Sequence, residues 1–164
     1  MGFKGLVIGG ALAFLAACSM PEDAVDTSAE QRALAAVSEE WVEAFRASDL
    51  DRLLSLYADD ARIMSQGQQR RVGKPEIREM FAQLLQGDAI PAINFEIEEI
   101  GLMGGEYAWA SVLAAIQGAG PESTTAEPYL SRTFILYRKD AAGNWLIFRD
   151  VDHATPDARQ VPIP

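Results

Sequence analysis

Apolar residues recur at three- and four-residue spacing between Leu34 and Leu85, and at every second position from Ile93 onward. The first period belongs to helices that bury one face, the second to strands that do the same. Leu34, Val37, Trp41 and Phe45 make one apolar stripe, and Thr27 with Glu30, or Ser28 with Gln31, offers a capping box ahead of it. Ser48-Asp49 breaks this helix and caps a shorter one, whose Leu50, Leu53, Leu54 and Tyr57 form one face. Asp59-Asp60 is expected to end it, Ala61 to Ser65 reads as a short strand, and Gln66 to Arg71 as a polar loop. Pro75 suits the first turn of a third helix, with Ile77, Phe81, Leu84 and Leu85 inward.

After Gly87-Asp88 the pattern changes. Ile93, Phe95 and Ile97 alternate with Asn94, Glu96 and Glu98, as in a half-buried strand. Gly104-Gly105 turns the chain into a strand from Tyr107 to Gln117, apolar on both faces and therefore expected inside the sheet. Gly118 to Pro128 is a loop, and Tyr129 to Lys139 and Asn144 to Asp152 form a last hairpin joined by Asp140 to Gly143. Helices first and an antiparallel meander afterwards predict an α+β domain, with three helices on one face of a curved antiparallel sheet.

Ahead of the first helix the sequence carries an address. One positive charge, Lys4, precedes an apolar stretch from Gly5 to Phe14, and Leu15-Ala16-Ala17-Cys18 follows. The stretch is about half the ~20 residues that a helix needs to cross a bilayer, and its layout is that of a secretory signal. Small residues directly before the lone cysteine resemble a bacterial lipobox, which implies lipidation of Cys18 and cleavage just before it. By resemblance to other lipoproteins, Ser19 in place of Asp after Cys18 implies sorting to the outer membrane, with the domain facing the periplasm. The expected divisions are a signal over 1–17, an acidic tether over 18–28, the domain over 29–156 and a tail over 157–164. Apolar content of 49% and mean hydropathy of −0.01 suit a packed domain rather than a disordered chain. The net charge of −10, or −11 without Lys4, repels phosphate backbones and argues against a nucleic-acid partner. It repels anionic head groups too, so attachment to a membrane falls to the lipid anchor.

Four segments, Glu40 to Phe45, Asp49-Leu50-Asp51, Leu56 to Ala61 (LYADDA) and Gly73 to Ile77 (GKPEI), resemble the opening of the nuclear transport factor 2-like superfamily. Tyr137-Arg138-Lys139 and Gly143 to Asp150 (GNWLIFRD) are similar to the ending of its SnoaL-like and DUF4440 branch. The resemblance runs from about Gln31 to His153. It implies a cone, a bent sheet wrapped around helices with a pocket between the first helix and the sheet, and it implies a homodimer in many members. It does not settle the reaction, since the superfamily holds isomerases, dehydratases and cyclases. The positions of the catalytic tyrosine, base and late-strand acid of ketosteroid isomerase fall on Trp41, Ser65 and Ile135, which cannot take those roles.

The resemblance also puts Leu146, Phe148, Asp150 and Asp152 on the pocket side of the last strand, beside Ile135 and Tyr137. The expected pocket is lined by Trp41, Phe45, Ile63, Ser65, Phe81, Ile135, Tyr137, Phe148 and Asp150, and takes a small apolar or amphipathic ligand. Asp150 and Asp152 share one face about 7 Å apart, and an aspartate among apolar groups gains a raised pKa suited to acid–base chemistry at Asp150. The alternatives are that both acids are solvated, that they pair with Arg132 or Arg149, or that a one-residue register shift turns Arg149 inward. His153 follows this strand as a solvated residue; with Asp150 and Asp152 it makes no metal site, since adjacent residues point to opposite faces. No G-x-S-x-G elbow accompanies it, and Gly101 to Gly105 lacks the lysine of a phosphate loop. No cofactor is expected. Glu96, Glu98 and Glu99 read as a wet strand face open to a cation or basic partner. Arg70-Arg71 with Lys74 is either a solvated loop or a rim that draws an acidic ligand to the pocket mouth.

Overall fold

A computed structural model describes residues 27–85, 92–117 and 129–155. Cys18, the expected signal and tail, the Gly87-Asp88 break and the 118–128 loop lie outside them. The elements are α1 (Thr27–Arg46), α2 (Leu50–Ser55), β1 (Tyr57–Ser65), β2 (Arg71–Val72), α3 (Gly73–Leu84), β3 (Ala92–Met103), β4 (Tyr107–Gln117), β5 (Tyr129–Lys139) and β6 (Trp145–Ala154). Thr27 and Ser28, expected in the tether, already belong to α1. No described helix is long and apolar enough to cross a membrane.

The α1 stripe is buried as its spacing predicts, with Leu34, Trp41 and Phe45 in the core. Ser48 takes a left-handed φ of 52°, and the Asp49 carboxylate accepts the Arg52 N–H at 3.0 Å, which starts α2 in a new direction. This second helix is shorter than expected. Tyr57 is already in β1, where the backbone pairs with β6 and the Ile147 N–H bonds to the Leu56 carbonyl. Asp59-Asp60 therefore sits inside a strand, both side chains exposed. In α3, Ile77 and Phe81 are buried, but Leu84 is exposed, a correction to its inward assignment.

The six strands run in the order β2-β1-β6-β5-β4-β3. All pairings are antiparallel except β1 with β6, where the first long strand closes against the last in parallel. β4 lies between β3 and β5, inside the sheet as its two apolar faces predict. The β5–β6 turn is set by Asp140, whose carboxylate accepts the backbone N–H groups of Ala142 and Asn144, with Gly143 at a φ of 87° that a side chain would strain. Two bulges bend the antiparallel pairings, one in β3 between Ile97 and Glu99, the other in β6 opposite Leu136-Tyr137, and β1 shifts register against β6 between Tyr57 and Arg62. The concave face wraps the helices and carries the core.

Candidate functional site

The strand register lays the concave face out as rows of neighbours. One row reads Tyr57, Ile147, Tyr137, Ala108 and Leu102 across β1, β6, β5, β4 and β3. The next reads Ile63, Asp150, Ile135, Ala110 and Ile100, and the third Ser65, Asp152, Thr133, Val112 and Ile97. In the second and third of these rows the polar residues adjoin one another: Asp150, Asp152, Ser65 and Thr133.

The β6 bulge decides what reaches that place. Ile147 pairs with Tyr137 and Arg149 with Leu136, so Phe148 is the extra residue. Trp145 and Ile147 are buried inward; Phe148 and Arg149 then share the outer face, and Asp150 and Asp152 return inward. Phe148 is therefore not a pocket residue. Its ring lies between two guanidinium groups, Arg138 at 4.3 Å and Arg149 at 3.5 Å, a cation–π stack outside the cone. Leu146 leaves the pocket side for the same reason and lines a hollow with Val37 and Leu56. Arg132, named as a partner for the acids, instead bonds Glu98 at 2.9 Å on the outer face. The Arg149 guanidinium donates to the carbonyls of Phe148 and Asp60. Neither arginine is among the groups that shift the Asp150 carboxyl.

Behind Asp150 runs a buried relay. The Trp41 indole donates to the Tyr57 hydroxyl at 2.8 Å, and that hydroxyl donates to the Asp150 carboxyl at 3.3 Å. Ser65 donates to the Asp152 carboxylate at 2.5 Å. Burial, reinforced by the Asp152 charge and opposed by the Tyr57 hydrogen bond, pushes the Asp150 carboxyl up to about 7. Burial and the charge of Asp150 hold the Tyr57 phenol well above its ordinary range, so it stays a neutral donor. Tyr137 is pushed up to about 12 by burial, with Ser38 3.2 Å from its hydroxyl. Near neutral pH the Asp150 carboxyl can thus both give and take a proton.

Trp41, Phe45 and Phe81 occupy the interior, where their rings pack on one another: Trp41 stacks on Phe45 at 5.1 Å and Phe81 meets Trp41 edge-on at 5.9 Å. Phe95 stacks on Trp41 from the sheet side at 5.0 Å. Asp150, Ser65 and Asp152 are each half-buried, so the polar end of the rows is the end that meets solvent. Two hollows lie elsewhere. One of about 370 Å³ runs between α1 and β3 beside Val42, Arg46 and Phe95; one of about 510 Å³ runs between α1 and the β5–β6 turn. Asp150 lines neither. Among the described residues no group of three or more His, Cys, Asp or Glu is placed to hold a metal, and His153 is exposed. Tyr57 escapes a reading of the sequence because it continues the apolar face of α2. Its signal is the Tyr-Ala pair ahead of Asp59-Asp60, which reads equally as the start of a strand.

The chain matches the SnoaL-like domain over residues 38–146, more than half its length. It belongs to the SnoaL-like domain family. Among solved structures, this SnoaL-like chain is similar to a ketosteroid isomerase-like protein from Erwinia carotovora atroseptica. The two are 22% identical, with a TM-score of 0.66 over 77% of this chain and 98% of that one. A conserved protein from Planctomyces limnophilus is 24% identical (TM-score 0.61, 78% and 99% covered). An NTF2-like protein from Pseudomonas putida is 20% identical (TM-score 0.63, 84% and 96% covered). At these identities the likeness is one of fold. The search of curated proteins gave no match.

Proposed function

We propose that the SnoaL-like domain, of the DUF4440 branch, binds a small apolar or amphipathic molecule against the concave face of its sheet. One observation carries this reading: Asp150, Asp152, Ser65 and Thr133 form a polar cluster among Ile63, Ile135, Ala110 and Val112. Apolar walls with a few converging polar groups are the usual make-up of a small-molecule site. Each Å² of apolar ligand surface sheltered there contributes about 25 cal/mol, and the polar cluster fixes the orientation. We propose further that the chain is lipidated at Cys18 and held at the outer membrane with the domain facing the periplasm. It takes no nucleic acid and no cofactor. A second copy is the proposed partner of the convex face, where Met103, Tyr107, Phe134 and Val151 are all exposed.

A second reading has its own support. The Asp150 carboxyl near 7, held by Tyr57, suits a general acid or base in an isomerase or dehydratase type of reaction. Native mass spectrometry of the full chain purified from cell extract tests the binding reading. A retained small molecule that disappears in Ile135→Trp, with the circular dichroism unchanged, is expected. An empty wild-type protein after exposure to the host's lipid and metabolite extract would contradict it. Asp150→Asn separates the two readings: turnover lost with ligand retained supports catalysis. For the anchor, palmitate labelling of the wild type that vanishes in Cys18→Ser is expected, and equal labelling of both would refute it.

A further inference from the structure

The chain carries a net charge of −10, and several basic side chains among the described residues pair with an acidic one. Arg52 bonds Glu40 and Glu43, Arg78 bonds Asp51, Arg138 bonds Asp60 and Lys139 bonds Glu30. The basic cluster of the sequence separates in the fold. Lys74 pairs with Asp59 at 3.1 Å, and Arg70 is exposed. Arg71 lies opposite Ile63 in the β1–β2 pairing, on the concave face and in the same row as Asp150. Its Nε is the single buried side-chain nitrogen or oxygen among the described residues that has no hydrogen-bond partner.

That arrangement is costly as it stands. A guanidinium stays charged at every physiological pH, and a buried N–H without an acceptor loses its hydration for no return. Position makes it worse, because Arg71 lies two residues before α3, whose N-terminal end is itself positive. The carboxylate in the first turn of α3, Glu76, is engaged with the Val72 backbone N–H at 2.8 Å. We infer that Arg71 is the anchor for a ligand carboxylate, so that the molecule bound on the concave face is an amphipathic carboxylic acid. Its apolar body crosses Ile63, and a hydrogen-bonding group at the far end meets Asp150 and Asp152. Arg71 and Asp150 are two strands apart, about 10 Å at ~4.8 Å per strand, a span that fits a short chain or one ring. Opposite charges at the two ends fix which way round the ligand lies. This assignment rests on the proposed binding face and adds to it the class of ligand.

Calorimetric titration of the full chain in mild non-ionic detergent tests it, with 4-phenylbutyrate and its neutral analogue 4-phenylbutyramide as probes. The wild type is expected to bind the acid at least about tenfold more tightly than the amide, as for a charged hydrogen bond made out of water. Arg71→Gln abolishes that preference and leaves amide binding within about twofold, and Arg71→Lys keeps part of it. Equal binding of acid and amide by the wild type overturns the carboxylate assignment while leaving the binding face in place. A preference that survives Arg71→Gln overturns it too. Absence of binding by both probes overturns the assignment together with the binding reading, and the wild-type comparison decides the matter even if Arg71→Gln fails to fold.

Discussion

Asp150 holds its proton because of what surrounds it rather than because of its own chemistry. The folded carboxyl titrates at about 7 and its ordinary value is 3.8, so between those limits the folded chain binds the extra proton. The stability from this group is therefore complete below about pH 4 and is lost as the pH rises through 7. Asparagine cannot ionise. Asp150→Asn should gain on the wild type by about 2–4 kcal/mol between pH 5 and pH 8, each tenfold change in proton affinity being worth ~1.4 kcal/mol, read by urea unfolding at both pH values. A difference that does not change with pH would mean that Asp150 is solvated. Its neighbours act in opposite directions. Asp152→Asn, which removes a like charge, should lower the Asp150 pKa; Tyr57→Phe, which removes a bond to the carboxylate, should raise it.

At the scale of elements, α1, α3 and β3 are legible because each repeats one period, and β4, β5 and β6 because apolar runs are bounded by turn residues. The bulges are not, although both leave traces. In β3 the alternation Ile93, Phe95, Ile97 resumes at Ile100 and Leu102, one residue late, and the doubled Glu98-Glu99 marks the insertion. In β6 both parities are apolar, Trp145 and Ile147 against Leu146 and Phe148, so the pattern itself does not say which pair faces the core. Strict alternation turns Asp150 inward, as it is, but turns Phe148 inward with it; the bulge separates the two. Close packing on the convex face gives a separate check. Gly101 lies opposite Trp109, and a Cβ there would come within 2.2 Å of the indole that stacks on Phe134. Gly101→Ala should cost about 1–3 kcal/mol in denaturant unfolding and change the tryptophan emission. An unchanged midpoint and spectrum would show that the indole does not rest over this glycine.

For the whole molecule, the α+β class and the helices-then-meander order follow from the change of period, yet the closing contact does not. β1 joins β6 in parallel across some ninety residues of sequence, and no local pattern encodes which end of a meander meets the first strand. That closure is what sets Tyr57 beside Asp150 and lines up Arg71, Ile63 and Asp150 in one row. The convex face makes a different demand: four exposed large apolar residues call for a cover, and Phe134→Glu should lower the mass found by analytical ultracentrifugation to that of a monomer. A wild type that is already monomeric would remove the second copy from that face. The central claim remains the desolvated acid that the cone creates out of an exposed-looking sequence. Carbon-13 NMR titration of the Asp150 side-chain carboxyl, assigned by its loss in Asp150→Asn, tests it most directly. A midpoint near 7 is the predicted result; a midpoint in the ordinary aspartate range near 4 would contradict it.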